Sequence, residues 1–129
     1  MAVTWKISHP ERLVNALGGG TIVLQDIERY LDDVVVSDAL PYAKIFDMGT
    51  AAWGLSDTDM LVLGARIRAY PALAAFGPIA IVAASDVLNA HAQMFATLAD
   101  VQRPLRIFRD VEAARKWLAD VGRDGSDQA

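Results

Sequence analysis

The sequence predicts a single α/β domain built on one mixed, mostly parallel sheet. Two observations carry this prediction: strand-like segments alternate with segments of helical period, and the first two strand-like segments follow each other directly. The chain length of 129 residues is typical of one domain. We therefore expect five strands and four helices in the order β-β-α-β-α-β-α-β-α, with one antiparallel edge strand.

The opening segment predicts an antiparallel hairpin. Residues 3–8 alternate apolar and polar side chains, which is the period of a half-buried strand, and a His9-Pro10 turn separates them from a second strand over residues 12–17. The glycines at 18–20 end that strand. They do not form a dinucleotide-binding loop, because Val23 stands where GxGxxG requires its last glycine, so we interpret them as a turn.

Three further strands are predicted at residues 42–48, 78–83 and 104–108. The second of these is continuously apolar, which is typical of a central parallel strand covered on both faces. The polar residues 123–129 follow the last helix, and we expect them to form a disordered tail beyond a domain of residues 1–122.

Four segments carry the helical period. The second begins at Ser56, where Asp59 three residues later completes a capping-box pattern, and Pro71 ends it. The third and fourth begin at Ser85-Asp86 and at Asp110. The predicted buried faces are, in chain order, Leu24, Ile27, Leu31 and Val34; Met60, Leu63, Ile67 and Tyr70; Val87, His91, Met94 and Leu98; and Val111, Ala114, Trp117, Leu118 and Val121.

Composition argues against several classes of function. The chain contains no cysteine, so thiolate metal sites, disulfides and cysteine nucleophiles are excluded. The net charge of −4 argues against nucleic-acid binding, and the isolated His9 and His91 argue against a metal site. No signal peptide or long apolar run is present, so we expect a cytoplasmic protein without a membrane span. No cofactor-binding loop or catalytic constellation is recognisable, and we expect neither a cofactor nor an enzyme.

The order and spacing of four features resemble a known family. They are the hairpin that ends at Gly20, the strand 44–47 that ends in an aspartate, the apolar strand 79–82, and the closing strand with its Ala-Ala-x-x-Trp-Leu helix over residues 106–118. Together they resemble the SpoIIAA-like branch of the sulfate-transporter and anti-sigma-factor-antagonist (STAS) domains. The resemblance covers approximately Val3 to Val121.

The resemblance implies a five-stranded, four-helix domain that acts through binding. In anti-sigma-factor antagonists, a partner kinase phosphorylates a serine at the start of the helix after the third strand, within an Asp-Ser-Ser/Thr-Gly pattern. This chain has a longer loop after Asp47, and Ser56 occupies the helix-start position. Some relatives are associated with lipid-binding Sec14-like domains. The resemblance therefore implies a protein partner, such as a regulatory kinase or an anti-sigma-like protein, or alternatively a small apolar ligand or lipid.

The loop from Gly49 to Ser56 is the candidate working surface, because ligands of open α/β sheets gather at the carboxyl ends of the strands. Thr50, Trp53, Ser56 and Asp57 are its candidate switch or partner-binding residues. Trp53 is either an exposed binding anchor or a lid on the core. Ser56 is either a helix cap or a phosphoacceptor, and Asp57 also complements the helix dipole.

Three arginines follow the third helix, at positions 103, 106 and 109. They either protect an edge strand by their charge or form a patch for an anion or an acidic partner. Exposed sheet edges also make a homodimer a reasonable expectation.

Overall fold

A computed structural model describes residues 2–99 and 103–127, and the side chains of residues 2–99 and 103–121. The helix Asp57–Ala69 begins at the predicted cap, where Ser56 Oγ accepts from Asp59 N at 3.1 Å and Asp59 Oδ2 accepts from Ser56 N at 3.1 Å. A 3-10 turn, Tyr70–Ala72, follows it at Pro71. The elements are β1 Val3–Ser8, β2 Leu13–Gly18, β3 Thr21–Ile22, α1 Leu24–Val36, β4 Ala43–Asp47, β5 Ala52–Trp53, α2 Asp57–Ala69, β6 Ile79–Val82, α3 Asp86–Leu98, β7 Leu105–Phe108 and α4 Val111–Asp127.

Five strands form one sheet in the order β1-β2-β4-β6-β7. Strands β1 and β2 are antiparallel, and every other neighbouring pair in this sheet is parallel. The predicted α/β class, with a mostly parallel mixed sheet and one antiparallel edge, is therefore confirmed. Among the described residues the number of α-helices is also the predicted four.

A second, two-stranded parallel sheet was not predicted. It joins β3 to β5, so part of the predicted loop from Gly49 to Leu55 is hydrogen-bonded to the segment after β2. Ala52 N donates to Gly20 O and Gly54 N donates to Ile22 O, each at 2.7 Å. Strands of two residues are too short to show a period of two, so a periodicity argument cannot detect them.

Helices cover the main sheet on both faces. Helix α4 packs on one face against Ile45, Ala80 and Val82. Helices α1, α2 and α3 lie on the opposite face, where the alternate residues Phe46, Ile79 and Ile81 join the larger core. The alternation of strand side chains therefore assigns each residue of β4 and β6 to one of two separate apolar layers.

The predicted buried faces of α1 and α2 are confirmed apart from Leu24, which is half-buried. For α3 the prediction is wrong at Val87 and Met94, while His91 and Leu98 are half-buried. Val87 is 67% exposed and Met94 is 44% exposed, whereas Leu88 and Ala92 are buried. The helix carries two apolar stripes of equal spacing, one residue apart. The stripe that contains Ala92 faces inward because its small side chain permits close packing against the rest of the core.

The C-terminal helix α4 includes residues 123–127, which the sequence analysis assigns to a tail, while residues 128 and 129 lie outside the described residues. Ala114 and Leu118 are buried against the sheet, and Trp117 contacts Phe108 with ring centroids 5.7 Å apart. Across the described ranges, no helix is long and apolar enough to cross a membrane.

The segment before β6 passes the loop before β4 at very short range. Gly77 N donates to Leu40 O at 2.9 Å, and a Cβ at position 77 would collide with the backbone carbonyls of Pro41 and Tyr42. These carbonyls belong to the loop that delivers the chain into β4. Only glycine permits this approach, which aligns the starts of two central strands.

We expect Gly77→Ala to destabilise the fold by about 2 kcal/mol, because the methyl group must displace backbone rather than a flexible side chain. Urea denaturation monitored by circular dichroism measures the free energy of unfolding. Gly19→Ala is the matched control, since a Cβ there has no atom within 4 Å. Equal stability of the two variants would contradict the close-packing argument.

Candidate functional site

A cavity lies between the main sheet and helices α1, α2 and α3, and we call it the central cavity. Its wall is almost entirely apolar, with aromatic side chains from the strands, the helices and the segment after α2. The lining residues are Ile27, Tyr30, Leu31, Val34, Leu40, Lys44, Phe46, Met48, Trp53, Ile67, Phe76, Ile79, Ile81, Ala92, Phe95 and Arg103.

The position of helix α2 explains why this space exists. The helix packs mainly on α1 and α3 instead of settling onto the strands. Arg66 holds it to α1 through ion pairs with Glu28 and Asp32. On the other side, Arg68 Nη1 donates to Leu98 O at the end of α3. Helix α2 therefore bridges α1 and α3 and covers the central cavity on the side away from the sheet, where Ile67 lines it.

The size of the central cavity limits what it can hold. The atom-free space is about 640 Å³ including the opening to solvent, but only about 50 Å³ is wide enough for the centre of a water molecule. Most of the cavity therefore consists of narrow gaps between side chains. As it stands, the open space holds only a few water molecules, so a larger ligand requires lining side chains or helix α2 to move.

Lys44 is a buried cation in the cavity wall. Its side chain is on the same side of β4 as Phe46, and the residue is only 3% exposed. The Nζ donates to Leu40 O at 2.6 Å and to Tyr42 O at 2.8 Å. Burial, reinforced by the positive charge of Arg103, lowers the pKa of Lys44 to about 7.

Arg103 is a second cation in the same wall. Its guanidinium carbon lies 4.4 Å from the centroid of the Phe76 ring, and Lys44 Nζ lies 5.9 Å from the same centroid. Burial lowers the pKa of Arg103 to about 10, against a smaller raising effect of Tyr30. The Arg103 Nε is buried and has no hydrogen-bond partner among the described residues.

Tyr30 supplies a hydroxyl to the cavity from helix α1. Its ring makes edge contacts with Trp5 at 5.7 Å and with Phe46 at 5.6 Å, which fix its orientation. Trp5 is itself held by a 2.7 Å hydrogen bond from its Nε1 to Asp33 Oδ2. Burial raises the pKa of Tyr30 above its ordinary value, so the hydroxyl stays protonated at neutral pH.

Trp53 closes another side of the cavity. Its ring stacks on His91 of α3, with centroids 5.9 Å apart and an angle of 26° between the rings. Because β5 pairs with β3, the Trp53 backbone is held in a strand and not in a free loop. Trp53 thus lies in the position of a lid on the core, which was one of the two predicted alternatives.

The buried polar atoms without a partner are concentrated in this one place. Within the part of the chain that the structure describes, they are Tyr30 Oη, Trp53 Nε1 and Arg103 Nε, and all three residues line the central cavity. Buried polar groups in native proteins are satisfied by protein, ordered water or a ligand. The cavity therefore presents a set of polar positions that the described protein groups do not satisfy.

The other predicted loop residues do not line the cavity. Thr50, Ser56 and Asp57 are exposed, and Ser56 acts as the cap of α2. Asp47 Oδ1 accepts from Gly49 N at 2.9 Å and so shapes the start of the loop. The sequence thus predicted one shared surface for four residues, of which Trp53 lines the cavity while the other three are exposed to solvent.

The three arginines near β7 do not act as one group. Arg103 lies in the cavity wall, Arg106 is exposed above the Phe108 ring, and Arg109 donates to Asp86 Oδ1 at 2.9 Å. The edge position of β7 agrees with the predicted protective role for Arg106. The inward position of Arg103 was not predicted.

Sequence reasoning also missed Lys44 and Tyr30, although both carry a detectable signal. Lys44 shares the inward face of a predicted strand with Phe46, since strand residues two apart lie on one side. Tyr30 falls within the apolar stripe of α1, three residues after Ile27. A polar group on a predicted buried face is more informative than an exposed polar loop.

Comparisons of the chain with protein-family models, with curated proteins and with solved structures find no match. Over residues 2–99 and 103–127, no cluster of three or more histidine, aspartate or glutamate side chains is suited to a metal ion. The two described histidines make other contacts, since His9 Nδ1 lies 2.7 Å from Tyr42 Oη and His91 stacks on Trp53.

We expect the buried Lys44 to make stability depend on pH. Between pH 7 and the ordinary lysine pKa of 10.5, the unfolded chain retains a proton that folded Lys44 has released. Stability therefore rises with pH in this window, by about 2 kcal/mol between pH 7 and pH 9.

Urea denaturation at pH 7 and pH 9 tests this prediction. In Lys44→Met the free energy of unfolding should increase between pH 7 and pH 9 by about 2 kcal/mol less than in the wild type, because methionine has no proton to release. Lys6→Met is the control, since Lys6 is exposed on β1. The assignment fails if both variants keep the pH response of the wild type.

Proposed function

We propose that the protein is a non-enzymatic binding protein that holds a small, largely apolar ligand in the central cavity. One observation carries the proposal: the described buried polar side-chain atoms that lack a partner all belong to residues of that cavity wall. A largely apolar cavity with a few oriented polar groups is the usual form of a small-molecule site.

The contrast between the cavity and the rest of the core supports this proposal. The core beneath α4 consists of apolar residues such as Ile45, Val82 and Leu118. The cavity, in contrast, holds two cations and a hydroxyl among its apolar side chains. Cations are costly to bury, so apolar residues would be favoured at positions whose only role was packing.

The proposal agrees with the sequence resemblance to SpoIIAA-like STAS domains, some of whose relatives are associated with lipid-binding domains. We include membership of that fold family in the proposal, on the basis of the element order and the closing Trp117 helix. The narrowness of the cavity favours a short-chain or compact ligand over a full-length lipid. A cytoplasmic location remains a prediction.

Filling the cavity should abolish binding. Ala92 is buried on α3 and lines the cavity, so the larger side chain of Ala92→Leu would occupy ligand space. We expect wild-type protein to bind 1-octanol in a calorimetric titration and Ala92→Leu to lose at least tenfold in affinity. Ala90→Leu is the control, because Ala90 is exposed on the same helix. Unchanged affinity in a folded Ala92→Leu variant, judged by its thermal melting, would refute the proposed site.

A second candidate function is regulation through a protein partner at the loop from Gly49 to Ser56. The observation that favours it is the exposure of Thr50, Ser56 and Asp57 close to an exposed apolar pair on α2. In that pair, Leu61 is 59% exposed and Val62 is 47% exposed. Such a surface combines polar and apolar contacts, as protein interfaces do. A homodimer is one form that this partnership could take.

Site-specific photo-cross-linking in cells tests the second candidate. A photoreactive residue at Thr50 and, separately, at Asp57 should give an adduct with the same protein. The same residue at Glu112, exposed on α4 across the sheet, should give none. Different adducts from the two loop positions, or an identical adduct from Glu112, would count against a partner at this loop.

A further inference from the structure

The polar groups of the central cavity have a consistent electrostatic character. Arg103 is a cation, Lys44 is a cation when its amine is protonated, Tyr30 has a protonated hydroxyl, and Trp53 has only a donor nitrogen. No aspartate or glutamate is present among the lining residues that the structure describes. The cavity thus offers donors and positive charge without a described carboxylate to balance them.

Phe76 does not remove this imbalance. The Arg103 guanidinium carbon lies 4.4 Å from the centroid of the Phe76 ring, so the two groups make a cation–π contact. The ring carries no formal negative charge, and the buried Arg103 Nε–H has no hydrogen-bond partner among the described residues. The guanidinium therefore retains a donor for a further acceptor.

Lys44 and Tyr30 provide further donors around the same space. Two Lys44 hydrogen bonds go to the carbonyls of Leu40 and Tyr42, and the protonated ammonium has a third N–H. Tyr30 Oη is buried without a partner among the described residues. All three side chains line the same cavity, and Lys44 Nζ and the Arg103 guanidinium both lie over the Phe76 ring.

We infer that the ligand of the central cavity carries a carboxylate, which Arg103 Nε–H and Tyr30 Oη bind directly beside the charge of Lys44. This inference rests on the proposed function. The apolar remainder of the ligand lies against the aromatic and aliphatic wall formed by residues such as Phe46, Phe95 and Ile81. The ligand class is thus a small aliphatic or aromatic monocarboxylate.

The number and type of donors favour a carboxylate over other head groups. An ammonium would meet two cations, and an alcohol would leave the positive charge unbalanced. A phosphate monoester has three terminal oxygens, whereas a carboxylate has two, which matches the two unpartnered donors of Arg103 and Tyr30. Charge-assisted hydrogen bonds to a carboxylate are stronger than those to a neutral acceptor, so the acid should bind more tightly than the matching alcohol.

Calorimetric titration with four probes of equal chain length tests the inference on the full chain at pH 7. The probes are octanoate, 1-octanol, octylammonium and octyl phosphate. We expect octanoate to bind at least tenfold more tightly than 1-octanol, and octylammonium to show no binding. Equal affinity of octanoate and 1-octanol would overturn the inference but leave the proposed function standing. Tighter binding of octyl phosphate would overturn the carboxylate assignment, and failure of all four probes would overturn the proposed function as well.

Three variants locate the head group. Arg103→Met should reduce the preference for octanoate over 1-octanol to less than threefold. Tyr30→Phe removes a single oxygen from a packed ring and should lower octanoate affinity severalfold without changing 1-octanol affinity. Arg106→Met is the control, since Arg106 is exposed on β7. An unchanged preference in both Arg103→Met and Tyr30→Phe would overturn the assignment of these residues.

Discussion

Helix α2 rests on its two neighbouring helices, and the space above the sheet depends on this arrangement. Gly64 permits it, because a Cβ at that position would lie 2.7 Å from Leu98 O at the end of α3. Arg66 and Arg68 fasten the helix on opposite sides. Ile67 lines the cavity from this helix and is only 2% exposed, in the same apolar core as Phe46 and Ile81. Close packing is the norm in protein interiors, so a gap kept open by specific contacts calls for a functional explanation.

Two cations of the cavity wall, the buried Lys44 and the half-buried Arg103, supply the chemistry for such an explanation. Lys44 is satisfied in part by two carbonyls of the loop before β4, and the same loop is held by Gly77. Arg103 is satisfied in part by the face of Phe76. Each cation thus has a structural contact that keeps it in place and retains an N–H that the fold does not use. These contacts hold the two cations in the cavity wall without any bound molecule.

Much of the architecture follows from pattern alone, whereas the candidate site does not. The hairpin, the mostly parallel character of the sheet and the cap of α2 at Ser56 follow from local or periodic features, and the sequence predicts them correctly. The prediction of which face of α3 is buried fails because the apolar stripes through Val87 and Leu88 have the same spacing. Tertiary packing decides between the two stripes. The cavity joins Tyr30, Lys44 and Arg103 from distant segments, and their proximity depends on how the elements pack. Trp53 was identified, but its pairing with β3 rests on a strand too short to predict.

The Arg66 contacts have a further consequence. They join α2 to α1 at the surface, where the side chain of Arg66 is 30% exposed and that of Asp32 is 63% exposed. Ion pairs at such positions are weakened by dissolved salt, because mobile ions screen exposed charges over about 8 Å at physiological ionic strength. We therefore expect the contact between α1 and α2 at Arg66 to weaken as the ionic strength rises.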